Sequence, residues 1–351
     1  MSRQLRRVVS LTTSLTAATV LFGTAAPATT LALAAPVENC EGVGTAQVLC
    51  SFDVAPGIYR VALALPTQEA AAVSVTAEAR RVMLPPVMAG RAKRHQAFAV
   101  DVRAAEGEPT LATGTPGLQV RLTSADGGPV RLDSIAVHPL RQVRTLFLAG
   151  DSTVCDQANA PYTGWGQRLP QFFNAHLAVA NYADSGEGSA SFLANDALMP
   201  AMEQRIRAGD FVMIQFGHND KATTAADYRR NLGEILDRVM ARGGRPILVT
   251  PTVRQLFDST GQLNQTALHV NGLGVNLPAE MRALATERDV PLIDLTSRSE
   301  ELVESLGPTD SSALYLPEKK DRTHNSEYGA DQMARLLLAD LPLPLQHYLR
   351  R

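Results

Sequence analysis

Hydrophobic and polar positions along the chain change their period near residue 140. Between Val37 and Leu140 short runs alternate apolar with polar side chains: Ile58–Leu63, Ala72–Ala77, Ala97–Val102, Leu118–Leu122 and Val130–Ile135. A period of two puts successive side chains on opposite faces of a strand. Pro56-Gly57, Gly107-Glu108-Pro109 and Asp126-Gly127-Gly128 separate the runs with turn-forming residues. Short strands at this spacing predict a β-sandwich-like N-terminal module over 35–140. Such a module is either a sugar binder or a purely structural domain, and no aromatic cluster marks a sugar platform.

Past Leu140-Arg141-Gln142 the pattern alternates buried strands with amphipathic helices. Thr145–Ala149, Leu177–Tyr182, Phe211–Phe216, Pro246–Thr250 and Pro291–Leu295 read as strands. Asp227–Arg242 reads as a helix, with Leu232, Ile235, Leu236 and Val239 on one face and Gly243-Gly244 at its end. Pro278–Asp289 and Ser326–Leu341 read as further helices. Strand–helix–strand repetition predicts an α/β domain over 145–351, a parallel sheet with helices on both faces.

The strand Thr145–Ala149 stops at Gly150-Asp151-Ser152, which puts a hydroxyl where open α/β sheets bind ligands. Two more polar segments follow predicted strands, Asp184-Ser185-Gly186-Glu187 and Gly217-His218-Asn219-Asp220, and a third, Asp321-Arg322-Thr323-His324, precedes the last predicted helix. Together they supply an acyl-transfer site. Ser152 is the candidate nucleophile, His324 the general base and Asp321 the carboxylate that orients it. The N–H of Ser152, the N–H of Gly186 and the side-chain amide of Asn219 are candidate oxyanion donors. Glycine suits the second position by letting backbone approach the substrate without a Cβ. Asp151, Glu187 and His218 are candidate substrate contacts. Read singly, the Asp321–His324 pair also fits a solvated loop or helix cap, and His218 a satisfied buried histidine. No His, Cys or Glu grouping has metal-ligand spacing.

These blocks resemble the SGNH (GDSL-type) hydrolases, and most closely the rhamnogalacturonan acetylesterases. The matching stretches are Gly150-Asp151-Ser152-Thr153-Val154, Gly164-Trp165-Gly166, Asn181-x-Ala183-x-Ser185-Gly186-Glu187, Gln215–Asp220, Thr250-Pro251, Pro291–Leu295 and Asp321-x-Thr323-His324-x-x-x-Tyr328-Gly329-Ala330. The resemblance implies a flavodoxin-like three-layer α/β/α fold and no cofactor. It also implies Ser152 as nucleophile, Gly186 and Asn219 as oxyanion donors, and Asp321–His324 as the base pair. Gly188, Ala190 and Asn325-Ser326 depart from the pattern of many relatives, at positions outside the implied catalytic groups.

Composition narrows the setting. The 351 residues are 45% hydrophobic and 19% charged with a formal net charge of −2, which gives no electrostatic reason for nucleic acid or an anionic membrane as partner. Arg3, Arg6 and Arg7 precede an apolar run, Val8–Leu33, that ends in Ala32-Leu33-Ala34. This predicts a signal peptide over 1–34, cleaved near Ala34, and a secreted protein exported by the Sec or twin-arginine route. Cys40 and Cys50 are spaced to close a small disulfide loop. Cys155 is left over, either a second nucleophile or a small buried hydrophobe. The expected activity is deacetylation of a pectic polysaccharide substrate. The competing expectations are a xylan acetylesterase, lipase or thioesterase on the same fold, or a non-catalytic carbohydrate-binding protein.

Overall fold

The computed structural model describes residues 33–35, 37–66, 72–88, 95–104, 106–111 and 114–350. The expected signal segment lies outside them apart from Leu33 and Ala34, which belong to the first strand.

The N-terminal part is two antiparallel sheets. Its strands are β1 (Leu33–Ala35), β2 (Cys40–Glu41), β3 (Gln47–Phe52), β4 (Gly57–Ala64), β5 (Ala72–Ala77), β6 (Arg81–Met88), β7 (His95–Val102), β8 (Leu118–Ser124) and β9 (Ser134–Pro139). One sheet runs β1-β9-β4-β7 and the other β2-β3-β8-β5-β6. Alternation works as the pattern predicts: Val48 and Cys50, Val61 and Leu63, Val73 and Val75, and Leu118, Val120 and Leu122 all point into one shared core. Cys40 and Cys50 face each other across β2–β3 and form a disulfide.

Several strands differ from expectation. The run Val130–Ile135 is extended only from Ser134, because Val130 and Leu132 fill the core from a loop while Ser134–Pro139 pairs with β4. Strands β1, β2, β3 and β6 are not among the runs named from the sequence. In β6, Pro85 and Pro86 interrupt the donors, and the strand's position at the sheet edge is where proline is tolerated. Between β5 and β6, burial pushes the Glu78 carboxyl up to about 8 against the pull of Arg81. Among the described residues neither of its oxygens has a hydrogen-bond partner.

A carboxyl raised in the folded state binds its proton more tightly there than in the unfolded chain. The stability it contributes is full below its ordinary value of 4.5 and lost as pH rises through about 8. Glu78→Gln is therefore expected to flatten the decline in unfolding free energy between roughly pH 5 and 9, read by urea titration. An unchanged slope in the variant would remove Glu78 as its source.

The C-terminal part carries β10 (Arg144–Ala149), α1 (Trp165–Arg168), β11 (Leu177–Asn181), α2 (Ser189–Ala194), α3 (Met199–Arg205), β12 (Phe211–Ile214), α4 (Ala225–Ala241), β13 (Arg245–Val249), α5 (Leu277–Glu287), β14 (Leu292–Ile293), α6 (Leu295–Asp310) and α7 (Glu327–Ala339). The sheet is parallel with strand order β11-β10-β12-β13-β14, the flavodoxin-like order. Alternate residues of each strand go to opposite cores. Leu146, Leu148, Met213, Ile247 and Val249 pack with α1, α6 and α7. Phe147, Ala149, Val212, Ile214 and Leu248 pack with α2, α3, α4 and α5. That is the three-layer α/β/α arrangement the resemblance implies. Helix α4 begins where Thr224 accepts the Asp227 N–H, and α7 where Ser326 accepts the Gly329 N–H.

The two parts share buried charge. Arg81 of β6 donates to Asp156 at 2.6 Å, both side chains being fully buried, and Arg103 lies 3.5 Å from the same carboxylate. Asp156 sits in the loop that follows β10, so the β-rich part is anchored beside the candidate site.

Candidate active site

The chain leaves β10 through Gly150 into a turn in which the Asp151 carbonyl accepts the N–H groups of Val154 and Cys155. The Asp151 carboxylate braces that turn from within, taking the Thr153 N–H at 2.9 Å and hydroxyl at 2.7 Å. Thr153 in turn accepts from Gln215, which accepts from the buried Trp165 indole. Helix α1 presses close behind. A Cβ on Gly166 would lie 2.3 Å from the Val154 carbonyl oxygen. Ser152 is thereby held at the carboxyl end of the sheet.

Its Oγ lies 2.9 Å from His324 Nε2, across 172 residues of chain. On the far side of the ring, Nδ1 is 2.6 Å from Asp321 Oδ2. An ionised carboxylate only accepts, so Nδ1 carries the proton and Nε2 is the acceptor facing the serine hydroxyl. The other carboxylate oxygen accepts the N–H groups of Thr323 and His324, folding Asp-x-x-His so that residues three apart meet. Burial pushes the Asp321 carboxyl up, but these N–H groups and the imidazole together hold it below the ordinary range. Tyr162, absent from the sequence reading, sets its ring edge-on to His324 at 5.6 Å.

The segment 184–187 lies alongside. Gly186 has φ +83°, a left-handed conformation that favours glycine. A Cβ there would meet no atom of the protein, so within the chain it is the left-handed conformation that asks for glycine. Among the described residues the N–H groups of Ser152 and Gly186 have no acceptor. Asn219 donates to the Glu187 carbonyl at 3.0 Å and Asp220 accepts from Ser189, which ties the segment after β12 to the glycine loop. The β-rich part grips the same loop. Glu108 accepts the Ser185 N–H at 2.6 Å, and Thr110 donates its N–H and hydroxyl to Asp184. Gln157 bridges the Ser152 carbonyl and the Ser185 hydroxyl.

Of the candidate substrate contacts, Asp151 needs correction. Asp151 is completely buried, and its oxygens are engaged by Thr153 and by His218 Nδ1 at 3.2 Å. It shapes the serine turn and cannot reach a ligand. His218 is also buried, stacked edge-on against His269, and burial pushes its imidazole pKa down, but it lines an adjoining cavity and among the described residues its Nε2 has no hydrogen-bond partner. Glu187 alone of the three is partly exposed. Cys155 is buried, and burial and the neighbouring Glu108 push its thiol well up, which leaves it a packed thiol rather than a nucleophile. Among the described residues no group of three His, Cys, Asp or Glu side chains is placed to hold a metal ion.

A parallel sheet of this order with a Ser–His–Asp chain at its carboxyl end defines an SGNH-type carboxylic ester hydrolase. Residues 148–331 match the GDSL-like lipase/acylhydrolase family, and the chain belongs to it. It is 36% identical over 224 residues to the rhamnogalacturonan acetylesterase RhgT of Bacillus subtilis, a match covering 58% of this chain and 93% of that protein. It is 33% identical over 207 residues to the uncharacterized esterase YxiM of the same organism, covering 56% of this chain and 52% of that one. The crystal structure of B. subtilis YxiM superposes with a TM-score of 0.53 at 27% identity, covering 84% of this chain and 79% of the other. That share exceeds what the α/β part alone contains, so the similarity extends into the β-rich part.

Proposed function

We propose that the protein removes acetyl groups from a pectic polysaccharide through an acetyl-serine intermediate. The hydrogen-bonded chain Ser152–His324–Asp321 carries this reading. Ser152 Oγ attacks the acetyl carbonyl while His324 Nε2 takes its proton. The oxyanion is received by the N–H groups of Ser152 and Gly186 and the free amide hydrogen of Asn219. Collapse of the intermediate, with the proton passed to the leaving oxygen, frees the sugar hydroxyl. Water, deprotonated by the same imidazole, then attacks the acetyl-serine and releases acetate. The family likeness to RhgT supports the pectic substrate. The N-terminal apolar run and the Cys40–Cys50 disulfide support export.

The test is acetate release from acetylated rhamnogalacturonan, acetylated xylan and synthetic esters of increasing acyl length. Rhamnogalacturonan is expected to be the fastest polymer and acetyl the fastest acyl group. Equal or faster release of long acyl chains would favour a lipase instead.

The grip of Glu108 on Ser185 predicts a further effect. A hydrogen bond to a charged group contributes about 1.5–3 kcal/mol, so Glu108→Ala should lower kcat by roughly tenfold to a hundredfold. The circular dichroism spectrum should be unchanged. Wild-type kcat in a folded variant would show that the Gly186 segment is held without the β-rich part.

A further inference from the structure

A cavity of about 430 Å³ opens beside the reacting groups, lined among others by Lys221, Arg254, Leu256, Thr266, Asn271 and Thr323. An acetyl group needs only a small part of that volume, which lies in the ordinary range for ligand pockets. Arg254 is half-buried at its wall. Its guanidinium donates to Thr323 Oγ1 at 2.6 Å and to the His218 carbonyl at 2.9 Å. These acceptors precede His324 and Asn219 directly in the chain, so the cation is fixed next to the base and a candidate oxyanion donor.

Among the described residues, three of the five guanidinium N–H groups have no acceptor. Among the described residues Arg254 and Lys221 have no carboxylate partner, whereas Arg229, Arg238, Arg282 and Arg298 are each matched to one. Lys221 is exposed at the cavity rim, and its carbonyl accepts the Gly272 N–H, which fixes its backbone to the opposite loop. Asp151 and Asp321 act on the Arg254 charge from beyond ion-pair distance, so its open N–H edge, with a second cation on the same cavity, offers a direct partner to an anionic group that arrives with the ligand.

We propose that this cavity is a subsite for a uronate residue of the acetylated chain, its carboxylate received by Arg254 and Lys221. The planar guanidinium edge suits a carboxylate, and the lysine adds a point charge on the open side. The subsite rests on the polysaccharide esterase reading and explains how a pectic chain would be told from a neutral xylan.

The experiment is calorimetric titration of the full-length protein with an unacetylated galacturonate trimer and with the same trimer after its carboxyl groups are reduced to alcohols. The acidic trimer is expected to bind roughly tenfold tighter or more, with the preference shrinking as salt is raised. Lys221→Glu and Arg254→Met should each erase the preference. Lys221 is exposed, so its variant keeps the test valid even where Arg254→Met fails to fold. Equal binding of the two trimers by wild type, or a preference that survives Lys221→Glu, overturns the subsite. Failure to release acetate from acetylated rhamnogalacturonan would instead overturn the proposed function, since binding is read without turnover.

Discussion

Ser152→Ala is expected to abolish ester hydrolysis, with turnover of 4-nitrophenyl acetate falling by about four orders of magnitude or more. The reasoning is local. The serine Oγ is the hydroxyl hydrogen-bonded to His324 Nε2, and the imidazole is oriented by Asp321 on its other face. The neighbouring thiol of Cys155 cannot substitute, because it is buried and held protonated. Alanine removes one small, nearly buried hydroxyl and no apolar core contact, so unfolding in urea should be nearly unchanged. His324→Ala should cost a similar factor, and the double variant little more, because the two groups act as a unit. Retention of more than a few per cent of the wild-type rate by a folded Ser152→Ala protein would end the assignment.

Asp156→Ala is expected to destabilise the protein by about 3–5 kcal/mol, the cost of breaking a buried ion pair from one side. Asp156 is fully buried and accepts from Arg81 at 2.6 Å and from the Asn181 amide at 2.8 Å. Without it the Arg81 guanidinium would be left enclosed, with the Asp101 carbonyl as its remaining acceptor among the described residues. Arg103 would lose its neighbouring carboxylate as well. Adding Arg81→Met should recover part of the loss, because the enclosed cation would then be gone. Urea unfolding of the single and double variants reads both effects. A loss below about 1 kcal/mol for Asp156→Ala would mean that water or rearrangement satisfies the arginines.

Much of the α/β part was legible because its signals are local. Each parallel strand is a short apolar run, and α4 repeats its apolar residues every three or four positions, as burial of one face requires. The helix α6, by contrast, passed unread: Leu295 and Val303 are buried among Ser, Glu and Gly, and the chain kinks at Gly307. In the β-rich part a proline pair concealed β6, and core residues in a loop displaced the start of β9 by four positions from Val130 to Ser134. Packing decides these cases, because a side chain in a loop can fill a core as well as one in a strand.

The site divides the same way. Ser152 at a strand end, the Asp321–His324 pair and the glycine loop could be named from residue type and spacing alone, since each is a short-range arrangement of backbone and side chain. The sequence by itself thus determined which groups are chemically able to react and which elements present them. Only the tertiary structure decided the rest: that Asp151 lies beneath the site rather than in it, and that Tyr162 and Gln157 close around the histidine and serine. The grip of Glu108 and Thr110 from the other part of the chain, and the placing of Arg254 on an adjoining cavity, belong there too. The physical reason is range. Hydrogen bonds and ion pairs act over a few ångströms, and residues 77 or 172 positions apart come that close only when the whole chain has folded.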